Sequence, residues 1–320
     1  MEWEFAMVLL DQMLDRSILF SFDRSGYVRH RRTFDPSDLD RSMRGKVCLV
    51  TGANSGLGLE VARGLAEREA TVYLLCRSEE SGIEARKSIS EQTRNPEVHL
   101  HVVDVSSLRS IHAFAERFVG SKVDVLVHNA GVLPLERRRT HDGLELTVAT
   151  HLVGPFLVNK LLQPKLREAR IVFVSSGGMY AKRLDMETML SNEAAYDGVA
   201  SYAMTKRGQV VLSEQWAEKL SESGCVVNAM HPGWAATKSV ERSLPRFWHI
   251  MRNRLRTPAE GADTVLWLVV AERAAGETGK FWFDRRSVPT HLVRWTRETA
   301  EERQRLWDFC ESRSETTSKQ

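Results

Sequence analysis

Tyr202 and Lys206 stand four positions apart in a segment with helical spacing, and together they could carry acid–base chemistry. Residues at i and i+4 of a helix lie on the same face, within reach of each other. A free phenol has a pKa near 10 and is a poor base at neutral pH, but a nearby ammonium lowers that pKa. Such a tyrosine could give or take the proton of an alcohol while hydride moves to or from a cofactor. The pair could equally be ordinary surface groups on an amphipathic helix.

Polar residues and glycines follow three apolar runs on either side of this pair. The runs at 123–127, 170–174 and 225–230 are typical of buried strands. Ligands of open α/β sheets bind at the carboxyl ends of parallel strands. The residues expected at these strand ends are Asn129, Ala130, Gly131, Ser176, Pro232, Gly233 and Thr237.

A glycine-rich loop follows the first strand and opens a helix. Glycines let the backbone turn tightly and approach a pyrophosphate, and the helix N-terminus supplies free N–H donors. The spacing is GxxxGxG rather than the GxGxxG fingerprint, and a plain glycine turn is the alternative. The residues expected to cradle the phosphates are Gly52, Asn54, Ser55, Gly56, Leu57 and Gly58.

The end of the second strand indicates which dinucleotide is bound. Arg77 follows this strand directly, and an acidic residue is absent from that place. A basic residue there suits a 2′-phosphate, whereas an acid would hold a ribose diol, so we expect NADP (NADPH) rather than NAD. Asp104 and Val105 follow the third strand. Asp104 could accept a hydrogen bond from the adenine amine, or it could be a helix cap.

Strand-like runs alternate with helical segments from Lys46 onward. The apolar runs lie at 47–51, 71–76, 98–103, 123–127, 170–174 and 225–230, with a last strand expected at 279–283. Near-continuous apolar strands are covered on both faces, and this alternation indicates βαβ units. We therefore predict an α/β fold, a single Rossmann-type doubly wound parallel sheet with an N-terminal helical arm.

Composition excludes several classes of protein. The chain has 320 residues, of which 42% are hydrophobic and 27% charged, so global disorder is ruled out. A formal net charge of +3 is weak support for a nucleic-acid partner. The four cysteines form no CxxC pair, so neither a metal site nor a disulfide framework is expected. No apolar run approaches the length of a transmembrane segment and no secretory signal opens the chain, so we expect a cytoplasmic protein.

These motifs, in this order, resemble the short-chain dehydrogenase/reductase superfamily, over about residues 45–285. A narrower resemblance is to the group called dehydrogenase/reductase SDR family member 12. The segments that carry it are Cys76–Ser78, Ser175–Met179, His231–Ala235, Asp284–Arg286 and Ser25–Tyr27. Retinol-dehydrogenase-like members of the superfamily share the Cys-Arg signature and generally favour NADP.

The resemblance implies a role for each position. Tyr202 matches the proton donor and acceptor, Lys206 the residue that lowers its pKa and bonds the nicotinamide ribose, and Ser176 the residue that polarises the carbonyl. The glycine loop matches the pyrophosphate site. The adenosine-side wall corresponds to Asn129, Ala130 and Gly131, and the nicotinamide side to Pro232, Gly233 and Thr237.

Two histidines depart from the family pattern. His128 replaces the first asparagine of the Asn-Asn-Ala-Gly motif, which we expect to change local hydrogen bonding only. His151 stands where the family usually carries an asparagine that anchors a water in a proton relay. An imidazole can also hold a water and titrates near neutrality, so His151 is a candidate relay residue. It could instead be a tolerated buried histidine.

We expect three parts of the chain: an arm at 1–44, an NAD(P)-binding catalytic domain at 45–310 and a flexible tail at 311–320. Trp3, Met7, Leu10, Leu14 and Ile18 recur at helical spacing in the arm. Acidic residues in the arm favour packing on the body or a partner subunit over contact with anionic lipid. The basic clusters at 30–32 and 137–139 are interpreted as solvated loops.

Two long connections, at 181–198 and 234–257, should set substrate specificity. The second contains Leu244, Pro245, Phe247 and Trp248, which could form a mobile cover over a lipophilic substrate. The resemblance implies a possible homodimer through 142–162 and 202–221.

The sequence therefore predicts an NADP-dependent oxidoreductase that interconverts a carbonyl and an alcohol on a lipophilic small molecule, with no nucleic-acid partner and no transmembrane segment. A non-enzymatic dinucleotide-binding scaffold and a membrane-surface adaptor, with peripheral membrane contact through the arm, are the alternatives.

Overall fold

The computed structural model describes residues 11, 14, 15, 17–191 and 196–315. Its centre is one sheet of eight strands in the order β3-β2-β1-β4-β5-β6-β7-β8. Strands β1 to β7 run parallel, and β8 pairs antiparallel with β7. In chain order the strands are Val47–Thr51, Thr71–Cys76, Val98–Val102, Val125–His128, Arg170–Val174, Val226–Met230, Phe281–Phe283 and Arg286–Ser287. The predicted doubly wound parallel sheet is confirmed.

The central strands are apolar on both faces because helices cover both faces. Leu49 of β1 packs into one apolar cluster, whereas its neighbours Cys48 and Val50 pack into the other. All three side chains are completely buried. Alternate residues of a strand point to opposite faces, so a strand between two helical layers has no solvent-facing positions.

Thirteen α-helical segments are described in residues 17–191 and 196–315. We number them α1 to α13 in chain order: Ile18–Phe22, Arg24–Arg31, Gly56–Ala66, Glu79–Thr93, Leu108–Arg117, Leu146–Val148, Gly154–Leu162, Met186–Leu190, Gly198–Lys219, Lys238–Ser243, Pro245–Met251, Pro258–Val270 and Ala300–Ser314. A single π-helical turn, Ala149–Val153, joins α6 to α7. Helices α3, α4 and α12 cover one face of the sheet, and α5, α7, α9 and α13 cover the other. No helix in the described part of the chain is long and apolar enough to span a membrane.

The C-terminal helix α13 extends beyond the predicted start of the tail at residue 311. A capping box at Thr299 opens it, and Leu306, Cys310 and Ser314 recur at intervals of four residues on its buried side. The helix therefore continues through 311–314, where the sequence predicts a flexible tail, and Ser314 is buried at its end. Residues 316–320 lie outside the described part.

Helix α13 also covers the helices expected to form a dimer interface. The Trp307 ring lies 4.8 Å from the Phe156 ring of α7 and 5.0 Å from the Trp216 ring of α9, between centroids. Lys160 of α7 forms a salt bridge with Glu315. Pairing of two copies through 142–162 and 202–221 would require α13 to move.

The described part of the arm packs on the body through residues other than the predicted stripe. Trp3, Met7 and Leu10 lie outside the described residues, Leu14 is half-buried and Ile18 is 50% exposed. Buried contacts come instead from Phe22, Tyr27 and His30. The expected packing on the body is present, but on another face of the arm.

Both long connections contain short helices. The first carries α8, and residues 192–195 within it lie outside the described part. The second carries α10 and α11. Phe247 of α11 is half-buried, and its ring lies 5.2 Å from the Trp234 ring.

Candidate active site

Helix α9 carries Tyr202 and Lys206 across the carboxyl edge of the sheet. Asp197 caps its N-terminus by accepting hydrogen bonds from the N–H groups of Val199 and Ala200. A Cβ atom on Gly198 would lie 2.1 Å from the carbonyl oxygen of Pro134, so only glycine permits this approach. Helix α9 therefore begins directly against the loop that follows β4.

The Tyr202 phenol meets Ser176 at the end of β5, as the sequence predicts. The Ser176 hydroxyl lies close enough to the phenol to lower its pKa. Burial raises the pKa of the Tyr202 phenol above its usual value, and Ser176 opposes that rise. The Ser176 oxygen also accepts a hydrogen bond from the Gly178 N–H at 3.2 Å, which fixes the serine on its turn.

The Lys206 amine is buried beneath this phenol. It donates hydrogen bonds to the Val174 carbonyl at 2.9 Å and to Gln209 Oε1 at 2.8 Å. Its nitrogen lies 5.5 Å from the centroid of the Tyr202 ring. Burial lowers the pKa of Lys206 to about 7. Gln209 was not identified from the sequence, although its position three residues after Lys206 places it on the same helix face.

His151 is buried in the π-helical turn, and both of its ring nitrogens bind protein groups. Nε2 accepts a hydrogen bond from the Val132 N–H at 3.0 Å, so Nδ1 carries the proton and donates it to Thr205 Oγ1 at 2.8 Å. Thr205 in turn donates to the Tyr202 carbonyl at 2.9 Å. Burial, and then the charge of Lys206, hold the pKa of His151 well below its usual value. The ring therefore joins α9 to the β4 loop as a neutral group, and neither nitrogen remains for the predicted relay water.

The glycine loop forms a cradle that fits a dinucleotide. Gly52 and Gly56 have φ angles of +64° and +56°, in the left-handed region that favours glycine. A Cβ on Gly58 would lie 2.4 Å from both Asn129 Nδ2 and the Gly52 carbonyl oxygen. The Thr237 methyl group would lie 3.3 Å from a Cβ on Gly56. The nicotinamide-side motif and the phosphate loop thus face each other across the N-terminus of α3.

Asn129 ties this loop to the end of β4. Its side chain donates hydrogen bonds to the carbonyl oxygens of Thr51 and Gly52, and the Thr51 hydroxyl accepts from the N–H groups of Asn129 and Ala130. Asn54 reaches away from the cradle and donates to Ser81. These bonds fix the loop before any cofactor binds.

Gly131 brings the adenosine-side motif close to helix α9. A Cβ there would lie 3.3 Å from His151 Nε2 and 3.6 Å from Lys206 Nζ. His128, at the head of the motif, is bound to Asn159 at 2.8 Å, and burial lowers its pKa to about 4. Its hydrogen bond with Asn159 joins His128 in the sheet to the covering helix, and the effect of replacing the usual asparagine stays a prediction.

Arg77 and Asp104 line a cavity of about 250 Å³ at the end of β2 and β3. Asp104 accepts hydrogen bonds from the N–H and hydroxyl of Ser106, whereas the cap of α5 is Ser107. The alternative of Asp104 as a helix cap was therefore wrong. Val105 is buried in the apolar cluster. The rest of the lining comes from Ser106, Ser107, Arg139, Thr140, His141 and Leu146.

Arg139 was interpreted from the sequence as part of a solvated basic cluster. It lies more than sixty positions from Arg77 in the chain, so no local spacing could have joined the two. The β4–α6 connection brings it to the same cavity.

Comparisons with known proteins place this arrangement in a family. The family model described as short chain dehydrogenase matches residues 46–246. The chain belongs to the short-chain dehydrogenase family, and it is an NAD(P)-dependent oxidoreductase.

Individual relatives extend the similarity to most of the chain. The human protein called dehydrogenase/reductase SDR family member 12 is 38% identical over 304 residues, covering 93% of this chain and 95% of that protein. Bovine retinol dehydrogenase 12 is 34% identical and covers 85% of this chain and 87% of its own length. Among solved structures, L-sorbose reductase from Gluconobacter frateurii, complexed with NADPH and L-sorbose, shares the fold with a TM-score of 0.62 at 23% identity, covering 77% of this chain and 96% of that chain.

The buried Lys206 amine makes stability depend on pH. Its pKa is about 7 in the folded protein, against 10.5 for an ordinary lysine. Between these values the unfolded chain binds more protons, so the free energy of unfolding rises with pH. Below about pH 7 both states are protonated and this dependence vanishes. Relative to Lys206→Met, the native protein should gain up to about 1.4 kcal/mol per pH unit between about pH 7 and pH 9 in urea unfolding. Parallel pH profiles for the two proteins would contradict the shift.

Removal of the His151 ring should destabilise the protein. His151→Ala leaves the Val132 N–H and the Thr205 hydroxyl without their buried partner. An unpaired buried polar group costs about 1–3 kcal/mol, and the cavity adds to this. Urea unfolding at pH 8 measures the loss, with His249→Ala, an exposed histidine of α11, as the matched control. If His151→Ala and His249→Ala lose the same free energy of unfolding, the His151 ring does not join α9 to the β4 loop.

Proposed function

We propose that the protein is an NADP-dependent oxidoreductase that interconverts a carbonyl and an alcohol on a lipophilic small molecule. The observation that carries this proposal is the placement of the Ser176 hydroxyl beside the Tyr202 phenol, with the buried Lys206 amine 5.5 Å from the phenol ring. These three groups stand at the carboxyl edge of the sheet, where ligands of such sheets bind.

The chain's own residues supply the proton chemistry. When bound, the nicotinamide supplies or takes up hydride. Ser176 donates a hydrogen bond to the substrate oxygen and polarises the carbonyl, and the Tyr202 phenol delivers a proton to that oxygen as the alcohol forms. Burial keeps the phenol protonated and ready to act as the acid. A protonated Lys206 would stabilise the phenolate that remains, because its nitrogen lies close to the ring.

Cofactor choice rests on the cavity at the end of β2. Arg77 and Arg139 both line it. A guanidinium binds phosphate oxygens through paired, charge-assisted hydrogen bonds, so two of them suit the 2′-phosphate of NADP. Asp104 and Val105 would then lie beside the adenine, and Lys206 would bond the nicotinamide ribose. The glycine cradle formed around Gly52, Gly56 and Gly58 would hold the pyrophosphate.

The nature of the substrate is inferred from the connection 234–257. This connection places apolar surface beyond the nicotinamide-side motif. The surface consists of three half-buried aromatic side chains, Trp234, Phe247 and Trp248. Several relatives are named retinol dehydrogenases, and retinol is a lipophilic alcohol. We also propose that the protein is cytoplasmic. Its catalytic domain begins near residue 45, and the arm packs on that domain.

Replacing the arginine at the end of β2 should change cofactor preference. Arg77→Asp should weaken NADPH binding by about tenfold to a hundredfold. The change removes a charge-assisted bond to the 2′-phosphate, worth about 1.5–3 kcal/mol, and places a carboxylate of the same sign beside that phosphate. NADH should bind nearly as before. Quenching of protein fluorescence measures both dissociation constants, with Arg86→Asp, an exposed arginine of α4, as the control. Equal affinities of the native protein for the two cofactors would contradict the NADP assignment.

Removing the phenol oxygen should abolish most turnover without loss of cofactor. Tyr202→Phe should lower kcat by about 10²–10⁴-fold, the usual contribution of an acid–base group, with NADPH affinity nearly unchanged. NADPH absorbance with a panel of lipophilic aldehydes and ketones measures this, and Tyr73→Phe in β2 is the control. Lys206→Ala should lower both kcat and NADPH affinity.

Two results separate the proposal from its alternatives. Full turnover by Tyr202→Phe would place the chemistry elsewhere. Tight NADPH binding without turnover of any compound in the panel would favour the non-enzymatic scaffold.

A further inference from the structure

We propose that the N-terminal arm completes the active site, with Phe22 as a positioning residue that holds the turn carrying Ser176 against the nicotinamide-side loop 231–234. The expected effect of Phe22 on catalysis rests on the function proposed above. Its expected effect on the mobility of the Ser176 turn does not. The arm precedes the segment matched by the family model, which begins at residue 46. The contact therefore joins a segment outside the family model to two loops inside it.

The Phe22 ring lies between the two loops. A Cβ on Gly177 would lie 2.3 Å from Phe22 Cε2, so the ring is seated directly on the residue that follows Ser176. On its other side, the ring centroid lies 4.5 Å from that of His231 and 6.1 Å from that of Trp234. Phe22 is only 7% exposed. The ring fills the space in which the Ser176 turn would otherwise be free to move.

The backbone of the arm is bound to the same loop. The Phe22 carbonyl accepts hydrogen bonds from the Trp234 N–H at 2.8 Å and from Arg256 Nε at 3.0 Å. The Ser21 carbonyl accepts from Arg256 Nη2 at 2.8 Å. A Cβ on Gly233 would lie 2.7 Å from the Phe22 carbonyl oxygen. The arm thus packs against the glycine of the nicotinamide-side motif at a distance that a Cβ atom would prevent.

Buried charged groups hold the arm in this place. Arg256 forms a paired bond with Asp284, at 2.5 and 2.9 Å, and His30 of α2 binds the same carboxylate at 2.6 Å. Asp23 accepts two hydrogen bonds from Arg254, at 2.6 and 2.9 Å. The Arg256–Asp284 pair is buried and reaches the arm through the Ser21 and Phe22 carbonyls, whereas Arg254 is 40% exposed. Loss of a partner in the buried pair would be strongly unfavourable, which favours a single position of the arm.

The consequence reaches the acid–base group through Ser176. The Ser176 hydroxyl lies close to the Tyr202 phenol and lowers its pKa, so a looser Ser176 turn should raise that pKa. Two titratable groups face the Tyr202 ring, Lys206 on α9 and His151 on the π-helical turn. The His151 imidazole is neutral, because burial holds its pKa well below the usual value. Neither of the two groups contacts Phe22 in the described structure, so a change at Phe22 should act on Tyr202 through Ser176 alone.

The test compares two phenylalanines of α1. Phe22→Ala removes the buried ring, and Phe20→Ala removes a ring that is 36% exposed. Phe22→Leu keeps apolar volume but lacks the ring that contacts Gly177, His231 and Trp234, so it should show the same changes at smaller size. Circular dichroism and thermal unfolding select the variants that fold, and if Phe22→Ala does not fold, Phe22→Leu and Phe20→Ala are compared instead.

Amide hydrogen exchange provides the readout that needs no turnover. In Phe22→Ala, exchange in the peptide spanning 175–181 should be at least about tenfold faster than in Phe20→Ala, because the Gly178 N–H bond to Ser176 opens more often. Exchange in 175–181 that matches Phe20→Ala would overturn the positioning role, whether or not the protein turns over any substrate.

Kinetics provide the second readout. In Phe22→Ala, kcat should fall by about tenfold to a hundredfold, because a catalytic group is misplaced. In the pH profile of kcat, the apparent pKa assigned to Tyr202 should shift to higher pH. NADPH affinity should also fall, because Phe22 packs against the nicotinamide-side loop 231–234 as well as the Ser176 turn. Unchanged kcat and an unchanged apparent pKa, with faster exchange in 175–181, would overturn the link to catalysis. Absence of turnover in the native protein would contradict the proposed function and leave the exchange result to decide on Phe22.

Discussion

The hydrogen bond from Lys206 to the Val174 carbonyl ties helix α9 to the carboxyl edge of the sheet. That carbonyl ends β5, two residues before Ser176, and the Ser175 hydroxyl donates a second buried bond to the Lys206 carbonyl at 2.8 Å, so the two bonds together set the distance between the helix and the serine turn. The His151–Thr205 contact then fixes the same helix against the loop after β4. Because each of these groups is buried, leaving any one of them unpaired would be costly, and the arrangement is maintained before a ligand arrives.

Close backbone approach provides the rest of the preorganisation. Gly58 admits Asn129, Gly198 admits Pro134, and Gly177 admits Phe22, each at a distance that a Cβ would prevent. Loops drawn from four parts of the chain are thereby held against one another. A site assembled in this way can orient a substrate without first paying for loop ordering, which is one source of catalytic rate.

The arm shows how a fold common to many proteins can be completed by a segment of its own. Phe22, Asp23 and His30 reach residues that follow β6 and β7, at the other end of the chain. Sequence patterns located the arm and its helical character, but they selected the stripe that includes Ile18 as its packed face. In a short helix with few apolar residues, the buried face is chosen by the partner surface rather than by the helix itself.

The sequence by itself determined the parallel sheet, the glycine loop and the placing of Tyr202 and Ser176 at the same edge of that sheet. These features depend on local periodicity, on glycine at particular positions and on the rule that parallel strands end at one edge. Only the tertiary structure decided that His151 joins two elements through both nitrogens, that Gln209 binds the lysine, that Arg139 reaches the cavity of Arg77 and that α13 covers α7 and α9. Each of these depends on which surfaces meet after the chain has folded, and hydrogen bonds and burial between distant segments leave no periodic signal in the sequence.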